Sequence, residues 1–148
     1  MIPASVLQWR GLAQLNADVH PPLTVNEILA VVWNESTGNP NAINPSDPSY
    51  GLMQLTMPIA KAFSGVPITD PQQLLEPTLN MGIGCTFLAH LKETYQDHFP
   101  TTWVAGYNEG EGNLTRGVPD PGYVAAFDSH MQELNAQEDT SNESSNRV

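Results

Sequence analysis

Proline placement constrains this chain more than any other feature. Proline lacks an N–H and breaks a helix interior or a central strand, so regular elements must fit between prolines or start at them. There are 13 in the chain, and they are unevenly spread. Pro21 and Pro22 stop any helix begun near the N-terminus. Pro40, Pro45 and Pro48 crowd one short stretch, and Pro58, Pro71, Pro77 and Pro121 stand where first helical turns accept them.

Helical stripes fill the gaps. Residues 4–16 set Val6, Leu7, Trp9, Leu12 and Leu15 at helical spacing. Thr24 with Glu27 forms a capping-box signature ahead of Ile28, Leu29, Val31 and Val32, in a helix expected to end near Gly38 and Pro40. Pro58 opens a helix through Phe63 that Gly65 closes, and Asp70 with Pro71 starts a shorter one. The longest helix begins at Pro77; its stripe of Leu79, Ile83, Phe87, Leu91 and Tyr95, interrupted by Gly82 and Gly84, predicts close approach by neighbours. "TTWVAGYNEGEG" reads as a short helix entering a glycine-rich turn, and Asp120 with Pro121 caps a last helix carrying Val124, Phe127, Met131 and Leu134. Residues 38–51, rich in Gly, Asn, Ser, Asp and Pro, read as a structured loop or short hairpin. The expectation is one mainly helical domain over residues 1–136, without internal repeat, followed by a disordered polar tail over 137–148.

Composition excludes several function classes. A formal charge of -11 with five Lys and Arg leaves no basic stripe to displace phosphate counterions, so nucleic acid is not an expected partner. A single cysteine, Cys85, cannot form an intrachain disulfide, and no Cys or His cluster has metal-ligand spacing, so neither a metal nor another cofactor is expected. No apolar run is long enough to span a bilayer. The start, "MIPASVLQWRGLAQL", lacks a basic region, a continuous apolar stretch and a small-residue cleavage site, so no signal peptide is read. The four histidines show no pairing with a nucleophile and read as surface or helix-edge residues; Trp33 and Trp103 read as core.

The candidate for chemistry is Glu35. It follows Ile28 by seven residues, Val31 by four and Val32 by three, and so shares a helix face with all three. Periodicity alone leaves two readings open, a helix-end residue reaching solvent or an ion pair, and an inward carboxyl at a site. "ESTGNPNAINP", "YGLMQL", "AGYNEGEGNL" and "PGYV" follow one another in that order. This ordered set, spanning about residues 26 to 127, resembles the lytic transglycosylase (SLT-like) branch of the lysozyme-like superfamily, related to goose-type lysozyme.

The resemblance implies a lysozyme-like α+β fold with a helical core and an irregular loop or short hairpin beside a cleft. It implies cleavage of the MurNAc–GlcNAc β-1,4 bond of peptidoglycan with formation of a 1,6-anhydro end, Glu35 serving as acid and then base. Its implied substrate contacts are Asn44, Tyr50, Met53, Gln54, Tyr107 and Asn108. Asn44 stands where the family often has a serine, and Glu109 where it usually has a small residue, with Glu111 nearby. An inverting muramidase of the goose type remains the alternative, with Asp47 as its second carboxylate. A non-catalytic cell-wall-binding virion protein is the other. The chain is expected to be a monomer working on glycan strands in the periplasm or cell wall, either phage-encoded, virion-associated or a domain excised from a longer protein.

Overall fold

The computed structural model describes residues 1–147. Helices α1 (Ala4–Leu7) and α2 (Arg10–Val19) lead to α3 (Val25–Ser36), and strands β1 (Ile43–Asn44) and β2 (Ser49–Tyr50) form a small hairpin. Helix α4 (Met57–Phe63) and a 3-10 turn over Pro71–Leu75 precede the long α5 (Pro77–Tyr95). Short helices α6 (Ala105–Glu109) and α7 (Glu111–Thr115) then lead to α8 (Pro121–Ser145). The mainly helical architecture with one short hairpin is as expected, and no described helix is long and apolar enough to cross a membrane.

The helix starts follow the local chemistry. Thr24 and Glu27 make the reciprocal capping box of α3, and Glu76 and Asp120, standing just before Pro77 and Pro121, cap α5 and α8 by accepting from the backbone N–H groups of Thr78 and Leu79 and of Gly122 and Tyr123. Ile28, Leu29, Ala30, Val31 and Val32 are fully buried between α1, α2 and α8, joined by Leu88 and Leu91 of α5. A second apolar cluster of Leu55, Ala60, Ile68, Leu74 and Ile83 supports the hairpin side. Gly84 is approached as predicted: a Cβ there would meet the Met53 sulfur at 2.5 Å, whereas Gly82 has open space. Trp103 is core, and Trp33 stacks on His130 with ring centroids 3.8 Å apart.

Two elements differ from the sequence reading. The first predicted helix is broken at Gln8 and Trp9, because the Trp9 indole N–H turns away to donate to the Gly38 carbonyl at 2.9 Å. At the other end, residues 137–145, read as a disordered tail, continue α8. No Pro or Gly follows Gly122 to stop the helix, and the hydroxyls of Ser141, Ser144 and Ser145 bond back to carbonyls four residues earlier.

Candidate active site

Glu35 lies in the last turn of α3, where the helix is fastened from two sides. The Ser36 hydroxyl donates to the Leu52 carbonyl at 2.7 Å, binding the helix end to the "GLMQL" segment. Thr37 and Gly38 then turn the chain through left-handed conformations, φ 52° and 81°. The Ser5 hydroxyl donates to the Thr37 carbonyl at 2.8 Å, so α1 clamps the same turn.

Burial pushes the Glu35 carboxyl up to about 7, the Tyr123 hydrogen bond acting in the opposite direction. The Tyr123 hydroxyl donates to Glu35 Oε1 at 2.9 Å. Burial, followed by the neighbouring Glu35 charge, holds the phenols of Tyr123 and Tyr107 well above their ordinary value, so both remain hydroxyl donors. Tyr123 stands in the first turn of α8, which Asp120 starts by accepting from the backbone N–H groups of Gly122 and Tyr123. Asp120 in turn accepts from Asn108 Nδ2 at 3.0 Å, tying α6 to the start of α8.

Glu35 opens onto a polar cleft of about 170 Å³ lined also by Asn44, Asp47, Ser49, Gln54, Thr56, Tyr107 and Asn108. The expected residues Asn44, Gln54, Tyr107, Asn108 and the alternative Asp47 are thus brought together with Glu35. Their roles differ from expectation in part. Gln54 borders the cleft, but its amide is spent on the hairpin: Nε2 donates to the Ala42 and Gly51 carbonyls, and Oε1 accepts from Ser49. Its backbone sits at φ 49°, a conformation those three bonds sustain. The Tyr107 hydroxyl donates to the Met53 carbonyl at 2.7 Å, so Tyr123 and not Tyr107 holds the carboxyl. Asn44 lines the cleft and accepts from the Ser46 N–H through Oδ1 at 3.1 Å.

Two expected contacts are not in the cleft. Met53 is fully buried, with its side chain wedged against Gly84, because the backbone turn at Gly51 directs it into the core. Tyr50 packs against the second apolar cluster, and its backbone bridges to Leu55. The sequence reading missed Tyr123, Thr56 and Asn80. The buried Asn80 amide donates to the Tyr50 and Leu74 carbonyls and accepts from the Met53 N–H, fastening α5 to the turn that carries Gln54. Tyr123 was available in "PGYV"; Asn80 gave no signal, since an Asn inside a helix is ordinarily a surface residue. Glu109 keeps one carboxylate oxygen buried without a partner, and burial raises its pKa. Glu111 pairs with His90.

The model of the transglycosylase SLT domain family matches residues 13–122. The chain belongs to this family. Among solved structures, this SLT domain is similar to a lytic transglycosylase Slt of Pseudomonas aeruginosa, solved as an inactive mutant, with TM-score 0.70 and 23% identity over 86% of this chain and 24% of that one. It is also similar to the 70 kDa soluble lytic transglycosylase of Escherichia coli, with TM-score 0.62 and 23% identity over 76% of this chain and 22% of that one. The chain therefore spans about a quarter of the length of these relatives. No curated protein matched the sequence. At this identity the two structures speak for the fold, which agrees with the expected lysozyme-like domain.

Proposed function

We propose that this SLT domain is a peptidoglycan lytic transglycosylase that cleaves the MurNAc–GlcNAc β-1,4 bond and leaves a 1,6-anhydro-MurNAc end. The observation that carries the reading is Glu35: a mostly buried carboxyl raised to about 7, held by one tyrosine and open to a polar cleft. Such a group is protonated for much of its time near neutral pH and can give its proton to the glycosidic oxygen as the C1–O bond breaks. The sugar's C6 hydroxyl then attacks C1, and the ionised Glu35 accepts the proton that this hydroxyl releases. The nucleophile is part of the substrate, so no water is consumed and no second carboxylate is needed. Ring closure also has the entropic advantage of an intramolecular attack.

Asn44, Thr56 and Asn108 line the cleft with polar groups suited to sugar hydroxyls and N-acetyl groups. Tyr107 supplies an apolar ring face. On this reading the domain acts as a monomer on glycan strands of the cell wall.

One observation favours a second reading: Asp47 borders the same cleft as Glu35, as the second carboxylate of an inverting muramidase would. The two readings give different products. Incubating the protein with purified sacculi and separating the fragments by mass should yield anhydro ends, 18 mass units below the hydrolysed ones; reducing ends alone would establish the hydrolase. Glu35→Gln should fold normally and lose activity by about 10² or more, because the amide can neither donate nor accept the proton. Retention of above about a tenth of the parent rate would overturn the assignment of Glu35.

A further inference from the structure

The cleft beside Glu35 continues past the hairpin. Asp47 and Thr56 line it and also line a second hollow of about 390 Å³, which Pro48, Met57 and Pro58 complete. The walls of the two differ. The first is lined mainly by amides, hydroxyls and carboxyls; the second is built of two proline rings and a thioether, with Asp47 as its single charged group. Asp47 is exposed on the hairpin turn, takes part in none of the ion pairs among the described residues, and no basic residue lines either hollow.

We infer that this shelf holds the peptide carried by the glycan strand, and that Asp47 selects peptides whose side-chain amine is still free. The inference rests on the reading of Glu35 given above. The peptide of peptidoglycan springs from the lactyl ether of the muramic sugar, the same sugar whose C1 is attacked. It must therefore leave the glycan cleft from the sugar that sits beside Glu35, and the Pro48–Met57–Pro58 shelf adjoins that cleft through two shared lining residues, Asp47 and Thr56.

The chemistry of the peptide matches the shelf. Its alanine methyls suit proline rings and a methionine, and its diamino residue carries an ammonium that suits a lone carboxylate. The peptide's own carboxylates find no cation here and stay in water. Cross-linking converts the amine to an amide and removes its charge, so the shelf distinguishes strands that have not been cross-linked at that amine. An exposed pair of this kind is worth about two- to fivefold in affinity, and salt weakens it.

The test uses soluble peptide-bearing glycan oligomers, with their amines free or acetylated. For the parent protein the KM should be about two- to fivefold lower on the free-amine form, the advantage shrinking at ~0.5 M salt. Asp47→Asn should bring the two KM values together while kcat changes by less than about threefold. Equal KM values for the parent, or an amine preference that survives Asp47→Asn, would overturn the inference, as would a kcat loss as deep as that of Glu35→Gln. Failure of the underlying reading looks different: no anhydro ends form from either oligomer. In that case calorimetric binding of the same two oligomers to the Glu35→Gln protein still decides, and equal affinities there overturn the selection by Asp47 without reference to turnover.

Discussion

Glu35 is placed at a cost to its own domain. A carboxyl moved from 4.5 to about 7 binds a proton more tightly when folded than when unfolded. Between those two pH values the folded state holds more protons, so stability falls as pH rises through this window and the full loss is present above it. The magnitude is about 3 kcal/mol. Glu35→Gln should accordingly melt higher than the parent at pH 8, with the difference disappearing below about pH 4.5, where both forms are neutral; equal melting temperatures at pH 8 would show that the cleft solvates the charge. Tyr123→Phe removes the bond that stabilises the ionised form, so the pKa of Glu35 should rise further. The alkaline fall of kcat should then move to higher pH while kcat itself drops, and an unmoved profile would show that the tyrosine does not tune the acid. The inward face of Glu35 was legible because a helix brings residues three, four and seven apart to one side, but that left its role open, and the ordered motifs around it supplied the expectation of an acid. The partnership with Tyr123 was not, since the two lie 88 residues apart and only packing of α8 on α3 joins them.

Elements that start on local chemistry were legible, whereas those shaped by distant contacts were not. The capping box of α3 and the Pro-led starts of α4, α5 and α8 all lie within four residues of sequence. The break between α1 and α2 depends on Gly38, 29 residues from Trp9. The fate of Gln54 and Met53 turned on the tight turn closed by the Tyr50–Leu55 bridge, where neighbouring residues end on opposite sides, Met53 in the core and Gln54 at the cleft. The role of α1 is to brace the end of α3. At Gly38 a Cβ would stand 2.0 Å from the Ser5 carbonyl oxygen, at a backbone φ of 81°. Gly38→Ala should therefore destabilise by about 2 kcal/mol or more, a fall of roughly 5 °C in Tm, and lower kcat because the turn after Glu35 must shift. Gly11, inside α2 with nothing within 4 Å of its added Cβ, is the control. Gly11→Ala should leave activity intact and stabilise by about 0.5 kcal/mol. If both substitutions behaved alike, α1 would not be bracing the catalytic turn.

Across the whole molecule, α8 is the element that joins the two ends of the chain to the site. Its first turn carries Tyr123, its middle buries Phe127 and Leu134 against the core, and Asn135 accepts from the buried Asn26 of α3 at 2.8 Å. Beyond that point its attachment thins. Residues 137–147 are exposed, and among the described residues their side-chain hydrogen bonds and ion pairs to the body are those of Arg10 with Gln137 at 3.4 Å and with Glu138 at 3.5 Å. An exposed pair of this sort contributes under about 1 kcal/mol. We expect a chain ended after residue 136 to keep its activity on isolated peptidoglycan and to lose no more than about 3 °C in Tm. Ending it after residue 130 removes Leu134, which is fully buried, together with the Asn26–Asn135 bond. Loss of such a leucine costs about 2–5 kcal/mol, and an Asn26 left without its partner adds to that. The shorter chain should thus melt at least about 6 °C lower and, with α8 loosened from α3, should hold Glu35 less firmly and turn over more slowly. A drop of many degrees on the first cut would show instead that the exposed end of α8 docks on the body, and an equal, small effect of both cuts would mean that Leu134 does not anchor the helix.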